Sequence, residues 1–185
     1  MVTIKRDTKK SGGVLWITRT AIFIAILLVV QFLTAQFGNT LITGSLVNML
    51  LIISVMTCGI QSGVVVALLS PIFAFLIGIG PPFWPIIPII MIGNTVLVVL
   101  WKKIGDGERH NRVAAWIVAL VTAAIVKFGI VFFGVTKLVI PIILALPEPH
   151  ATNISLAFSF PQLITACIGG VLAIAILPTL KKVIR

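Results

Sequence analysis

Six stretches of this chain are almost wholly apolar, and most of them approach the length at which a helix can cross a membrane. About 20 apolar residues suffice to cross roughly 30 Å of hydrocarbon. Only 10% of the residues are charged and 59% are hydrophobic, too little polarity to cover a water-soluble domain, which carries about 25% charged residues. The predicted fold is therefore all-α: a six-transmembrane-helix bundle with the N- and C-termini cytoplasmic. The expected spans are 14–36, 46–57, 63–77, 86–101, 113–133 and 156–180. Residues 1–13 form a polar cytoplasmic tail, and 14–185 a single six-helix membrane domain. The first apolar block follows a basic start but exceeds the 7–15 residues or so of a signal-peptide core, so it reads as a retained helix. The second span is short, which implies tilt or a preceding loop that dips into the bundle.

The net charge is +10, and its distribution argues against a nucleic-acid surface. Twelve of the fourteen basic residues fall in three groups between apolar blocks. These are Lys5, Arg6, Lys9, Lys10 and Arg19; Lys102, Lys103, Arg109 and Arg112; and Lys181, Lys182 and Arg185. Basic flanks of this kind orient helices with the positive side in the cytoplasm. Six crossings put all three groups on one side. The outward segments are then 37–45 (FGNTLITGS, rich in turn residues), 78–85 within the proline-rich GIGPPFWPIIP, and 135–157, a long apolar connection expected to pack over the bundle.

Polar side chains inside a span are expensive and mark candidate sites. Lys127 lies about 20 Å from the inner surface at about 1.5 Å per residue. It either snorkels to the outer headgroups or faces the bundle interior, ready for a carboxylate or another polar ligand group. No acidic residue in any span could neutralise it. Asn48, Asn94, Ser159 and Gln162 fall at comparable or shallower depth on the same side, with Asn39 and Thr40 in the first outer loop. Singly, such residues are often helix-packing hydrogen bonds. Together, in a chain whose inner half-spans are nearly pure aliphatic, they outline a pocket open to the outside. Trp84 on the proline-rich segment serves either as an interfacial anchor or as a ligand-stacking wall. Trp16, Trp101 and Trp116 fit an aromatic belt at the inner face.

No catalytic pattern is present. The four acidic residues, Asp7, Asp106, Glu108 and Glu148, lie in tails or loops. His110 and His150 lie in loops on opposite sides, Cys58 falls in a turn and Cys167 inside the last span, and no metal-ligand spacing appears. There is no phosphate-binding loop, so the chain is not expected to be an enzyme or to bind a metal or cofactor. Ion coupling normally uses a carboxylate in the membrane. An active importer of this composition must draw its energy from another subunit. Ala21 and Ala25, four apart in the first span, form a small-residue strip that lets another helix approach closely. Gly59 and Gly63 show the same spacing but straddle a turn.

These features together resemble the substrate-binding S component of energy-coupling factor (ECF) vitamin transporters. The resemblance rests on six spans in under 200 residues, a basic N-terminus leading into Ala21 and Ala25, a polar loop after the first span, and the lack of an energy source. The stretches 44–94 and 158–173 (FSFPQLITACIGGVLA) also look like the family's pattern. The resemblance implies a vitamin bound near the outer face, with Asn39, Thr40, Asn48, Trp84, Asn94, Lys127, Ser159 and Gln162 as candidate ligand-binding residues. It also implies docking through Ala21 and Ala25 on a transmembrane coupling protein, two cytosolic ATPases that use ATP, a topple of the whole subunit in the membrane, and a location in a prokaryotic plasma membrane. The absence of tyrosine departs from members that bind thiamine or riboflavin. A less aromatic or anionic vitamin such as pantothenate fits better, and cobalamin stays open. The alternatives are a stand-alone small-solute channel or carrier and a non-transporting membrane assembly protein.

Overall fold

The structure of the protein, a computed structural model, describes residues 7–106 and 112–183. Lys5, Arg6, Glu108, Arg109, His110 and Arg185 lie outside the described residues. The fold is all-helical: α1 Asp7–Ala35, α2 Thr40–Cys58, α3 Ile60–Leu76, α4 Ile87–Gly105, α5 Arg112–Val131, α6 His150–Ala157 and α7 Phe160–Val183. A single 3₁₀ turn, Trp84–Ile86, leads into α4, and a wide-turned π-helix, Phe132–Leu144, prolongs α5. Among the described residues, five stretches are long and apolar enough to span a membrane: Gly13–Ala35, Thr40–Cys58, Trp84–Gly105, Arg112–Leu144 and His150–Leu180. The sixth, α3, has 17 residues, or about 25 Å at about 1.5 Å per residue.

Several boundaries differ from the sequence expectation. The expected loop 37–45 is mostly helix. Asn39 caps α2 by accepting a hydrogen bond from Leu41 N on its Oδ1 at 2.9 Å, so the helix starts early and α2 is a full 19 residues. Cys58 ends that helix, and Gly59 alone, at φ 90°, makes the turn into α3. The glycine tolerates this backbone because it has no Cβ. Residues 7–13 of the expected tail belong to α1. The connection 135–157 is also largely helical. Its inward residues Val135, Val139 and Ile140 pack with Val131, Ile86 and Phe158 in a second apolar cluster.

The larger apolar cluster lies at the opposite end of the bundle. There α2 is central, packed against α1, α3, α4 and α7, while α5 bridges α4 and α7. Leu51, Ile52 and Val55 of α2 meet Leu97, Val98, Ala119, Ala123, Ala173 and Leu177. Trp101 and Trp116 belong to this core at 1% and 4% exposure, which corrects the belt expectation for both. The indole N–H of Trp116 donates to the Gly105 carbonyl at 3.2 Å, so the ring can be buried with its polar handle satisfied. Lys102 pairs with Asp106 one turn on.

Glycines set the helix separations. A Cβ at Gly169 would sit 2.5 Å from the Ser45 carbonyl oxygen and 2.6 Å from Asn48 Cβ, so α7 lies directly against α2. Helix α1 is peripheral, with only 11% of its spanning window buried. It is tied to α3 by a buried hydrogen bond from Thr20 Oγ1 to Ser62 Oγ at 2.8 Å. Ala21 and Ala25 are exposed on its outer face.

Gly169→Ala is expected to destabilise the bundle by about 1–3 kcal/mol through overpacking. Gly129→Ala, where nothing lies within 4 Å of the new methyl, should be neutral or stabilise by about 0.5–1 kcal/mol. Thermal melting of the two variants in detergent checks the contrast; equal melting temperatures would refute the close α2–α7 contact.

Candidate ligand-binding site

The second and fifth helices carry the polar centre of the molecule. Lys127 of α5 is 3% exposed, and its Nζ donates to Asn48 Oδ1 at 2.5 Å and to Asn94 Oδ1 at 2.7 Å. The Asn48 amide in turn reaches Thr165 Oγ1 at 3.4 Å, and Thr165 donates to the Gln162 carbonyl at 3.0 Å. One chain of hydrogen bonds thus joins α2, α4, α5 and α7. Gly93 lets α4 lie close to α5 beside the lysine: an added Cβ would sit 2.8 Å from Val131 Cγ2 and in ordinary contact, at 3.6 Å, with Lys127 Cγ. Of the two readings of Lys127, interior and snorkelling, the geometry is that of the interior one. A buried amine without partners would be strongly unfavourable, and two amide oxygens supply them.

This network borders a cavity of about 600 Å³, within the usual range of roughly 300–1,000 Å³ for small-molecule sites. The lining comes from the C-terminal ends of α1, α3 and α5 and the N-terminal halves of α2, α4 and α7, so these six helices alternate in direction. Each of the three segments read as outward contributes: Gly38, Asn39 and Thr40; Gly78 to Pro82; and Asn153, Ile154 and Ala157. The proline-rich wall is held in place where Ile79 N and Gly80 N both donate to the Ala74 carbonyl at 2.8 Å. Next to Asn153 and Ile154 of the lining, Glu148 Oε2 accepts from Thr152 Oγ1 at 2.6 Å and Thr152 N at 3.3 Å, which satisfies the start of α6.

Asn39, Thr40, Asn48, Asn94, Lys127 and Gln162 all line the cavity. Asn39 and Thr40 are exposed, and Asn39 already caps α2. Trp84 and Ser159 do not line it. Trp84 is about half exposed and stands edge-on to Phe75, with ring centroids 5.2 Å apart. Ser159 Oγ donates to the Ser155 carbonyl at 2.6 Å, between α6 and α7. Ala21 and Ala25 are not part of the lining.

Sequence reasoning missed Gln31, Thr43, Ser70, Asn153 and Thr165, all of which line the cavity. Gln31 is the most informative. It is 5% exposed, and its Oε1 is buried with no hydrogen-bond partner. Thr20, Leu27, Gln31 and Thr34 are the buried residues of α1 in this region. Their spacing of seven, four and three is that of one helix face, a signal that would have turned Gln31 inward. Among the described residues, no group of three or more His, Cys, Asp or Glu could hold a metal ion. Among the described lining residues none is acidic, and Phe158 is the one aromatic.

A family model described as ECF transporter, substrate-specific component, matches residues 16–181. No curated protein and no solved structure matches the chain. The family match covers nearly all of the chain and agrees with an apolar helical bundle around a cavity on which a few polar side chains converge, so this protein belongs to the substrate-specific components of ECF transporters, which are transport subunits rather than enzymes.

Proposed function

We propose that this protein is the substrate-capture subunit of an ATP-driven importer of a vitamin or vitamin precursor, with the ligand held in the cavity beside Lys127. The observation that carries the reading is the asymmetry of the bundle. Polar side chains from α1, α2, α4, α5 and α7 converge on one cavity, while the other end is packed with aliphatic side chains and two tryptophans. A small-molecule site has this make-up: largely apolar walls with a few converging polar groups.

Six alternating helices support six crossings, with both termini cytoplasmic and the cavity opening outward. The exposed Arg19, Lys103 and Arg112 lie toward the end away from the cavity, as the positive-inside rule requires. The setting is then the plasma membrane of a prokaryote. No membrane carboxylate is available for ion coupling, so the energy comes from a transmembrane coupling protein with two cytosolic ATPases. Helix α1 is the docking element. Its small, exposed Ala21 and Ala25 allow close approach of a partner helix, and the loose attachment of α1 to the rest of the bundle leaves that face free.

Reconstituted alone in liposomes, the protein should retain ligand binding but show no uptake; uptake should need the coupling protein and ATPases. Transport by the lone subunit would instead identify a channel or carrier.

Ala21→Trp and Ala25→Trp should each overpack the docking face at a cost of about 1–3 kcal/mol, lowering uptake about tenfold or more. Binding to the isolated subunit should be unchanged. Joint loss of uptake and binding would contradict docking through this strip.

A further inference from the structure

The cavity also carries information about what it holds, and the following rests on the capture reading above. We infer that the ligand is a small, non-aromatic carboxylate with at least one hydroxyl or amide N–H donor. Three features of the lining lead to this class.

The first is charge. Among the described lining residues Lys127 is the only charged one, and both of its partners are neutral amide oxygens. The chain's four acidic residues are Asp7, Asp106, Glu108 and Glu148, and neither Asp106 nor Glu148 is among the described lining residues. An ammonium has three hydrogens, and the two asparagines take two. A ligand carboxylate would supply the third acceptor and the missing negative charge, and charge-assisted bonds of this kind are roughly twice as strong as neutral ones. A cationic ligand would meet like charge with no carboxylate to offset it.

The second is the unpaired acceptor. Gln31 Oε1 is buried on the wall without a donor. Buried polar atoms without partners are unfavourable, and a turn of the Gln31 amide toward the cavity would let a hydroxyl or amide N–H on the ligand satisfy this one. The third is the scarcity of rings. Phe158 alone among the described lining residues is aromatic, so a flat heteroaromatic ligand could not be sandwiched between aromatic faces. Aliphatic and proline surfaces such as Val47, Ile90, Pro71 and Pro81 suit a branched or linear carbon skeleton. A volume of about 600 Å³ fits a drug-sized molecule rather than a macrocyclic cofactor.

The test begins with protein purified in mild detergent from cells grown in rich medium. Small molecules released on denaturation are identified by mass spectrometry, for wild type and for Lys127→Met. The expected finding is an enriched carboxylate without a heteroaromatic ring, reduced about 10- to 100-fold in the variant, the range for losing a hydrogen bond to a charged group. Lys127→Met also strips Asn48 and Asn94 of their partner, so a second measurement uses wild type alone. The recovered acid and its primary amide are compared by the rise in melting temperature, and the amide should need about a tenfold higher concentration or more. Recovery of a neutral, cationic or heteroaromatic compound, or equal binding of acid and amide, would overturn the carboxylate assignment and leave capture standing. Recovery of nothing from wild type, with no melting shift from a panel of water-soluble vitamins, would overturn capture and this inference together.

Discussion

A lysine amine buried in an apolar bundle, with no carboxylate among the described residues to meet it, is the constraint around which the rest of this molecule is arranged. Lys127 is tolerable at its depth only because Asn48 and Asn94 turn their amide oxygens toward it. Those contacts require α2, α4 and α5 to meet at one level. Gly93 brings α4 against Val131 of α5, and Gly169 brings α7 against α2 just where Asn48 sits. Thr165 then receives the remaining Asn48 donor. The hydrogen bonds and the helix separations are one arrangement: moving any of these helices outward would strand a polar group in a low-dielectric interior.

The two ends of the bundle divide the work between stability and binding. At one end α2 is buried on nearly all sides, and Trp101 and Trp116 fill the core between helices. At the other end the same helices part around a cavity, and the proline-rich segment, the α1–α2 turn and α6 close around it. Prolines and glycines break the helix at 78–82, and the N–H groups of Gly78, Ile79 and Gly80 donate to the Phe75 and Ala74 carbonyls in the last turn of α3. An irregular wall of that kind is acceptable at a membrane surface or against a cavity, where exposed backbone does not face lipid.

Much of the candidate site was legible because polar side chains in apolar segments are conspicuous. Asn48, Asn94, Lys127 and Gln162 were readable by depth alone, and all four border the cavity. Depth does not give azimuth, however. Gln31 near the end of α1 turns inward on the buried face of that helix, and the Ser159 hydroxyl, at the right depth, donates to the Ser155 carbonyl. Aromatic residues were the least legible. Trp84, Trp101 and Trp116 all suit an interface by composition, yet two of them are core and the third packs on Phe75 outside the cavity. A large amphipathic ring is at home in either setting, and only its neighbours decide between them.

The sequence by itself determined that the chain is a helical membrane bundle, that most of its charges lie at segment ends, and that its spans carry one deep lysine and no acidic residue. These follow from hydrophobic run length and from the high free energy of isolated charge in hydrocarbon, both of which are local properties of the chain. The tertiary structure alone decided that two asparagines from different helices meet the one lysine, that α2 begins at Asn39, and that a glutamine acceptor stands unpaired in the cavity wall. Those are matters of helix rotation and separation, set by where glycines permit close approach and by which side chains fill the remaining space.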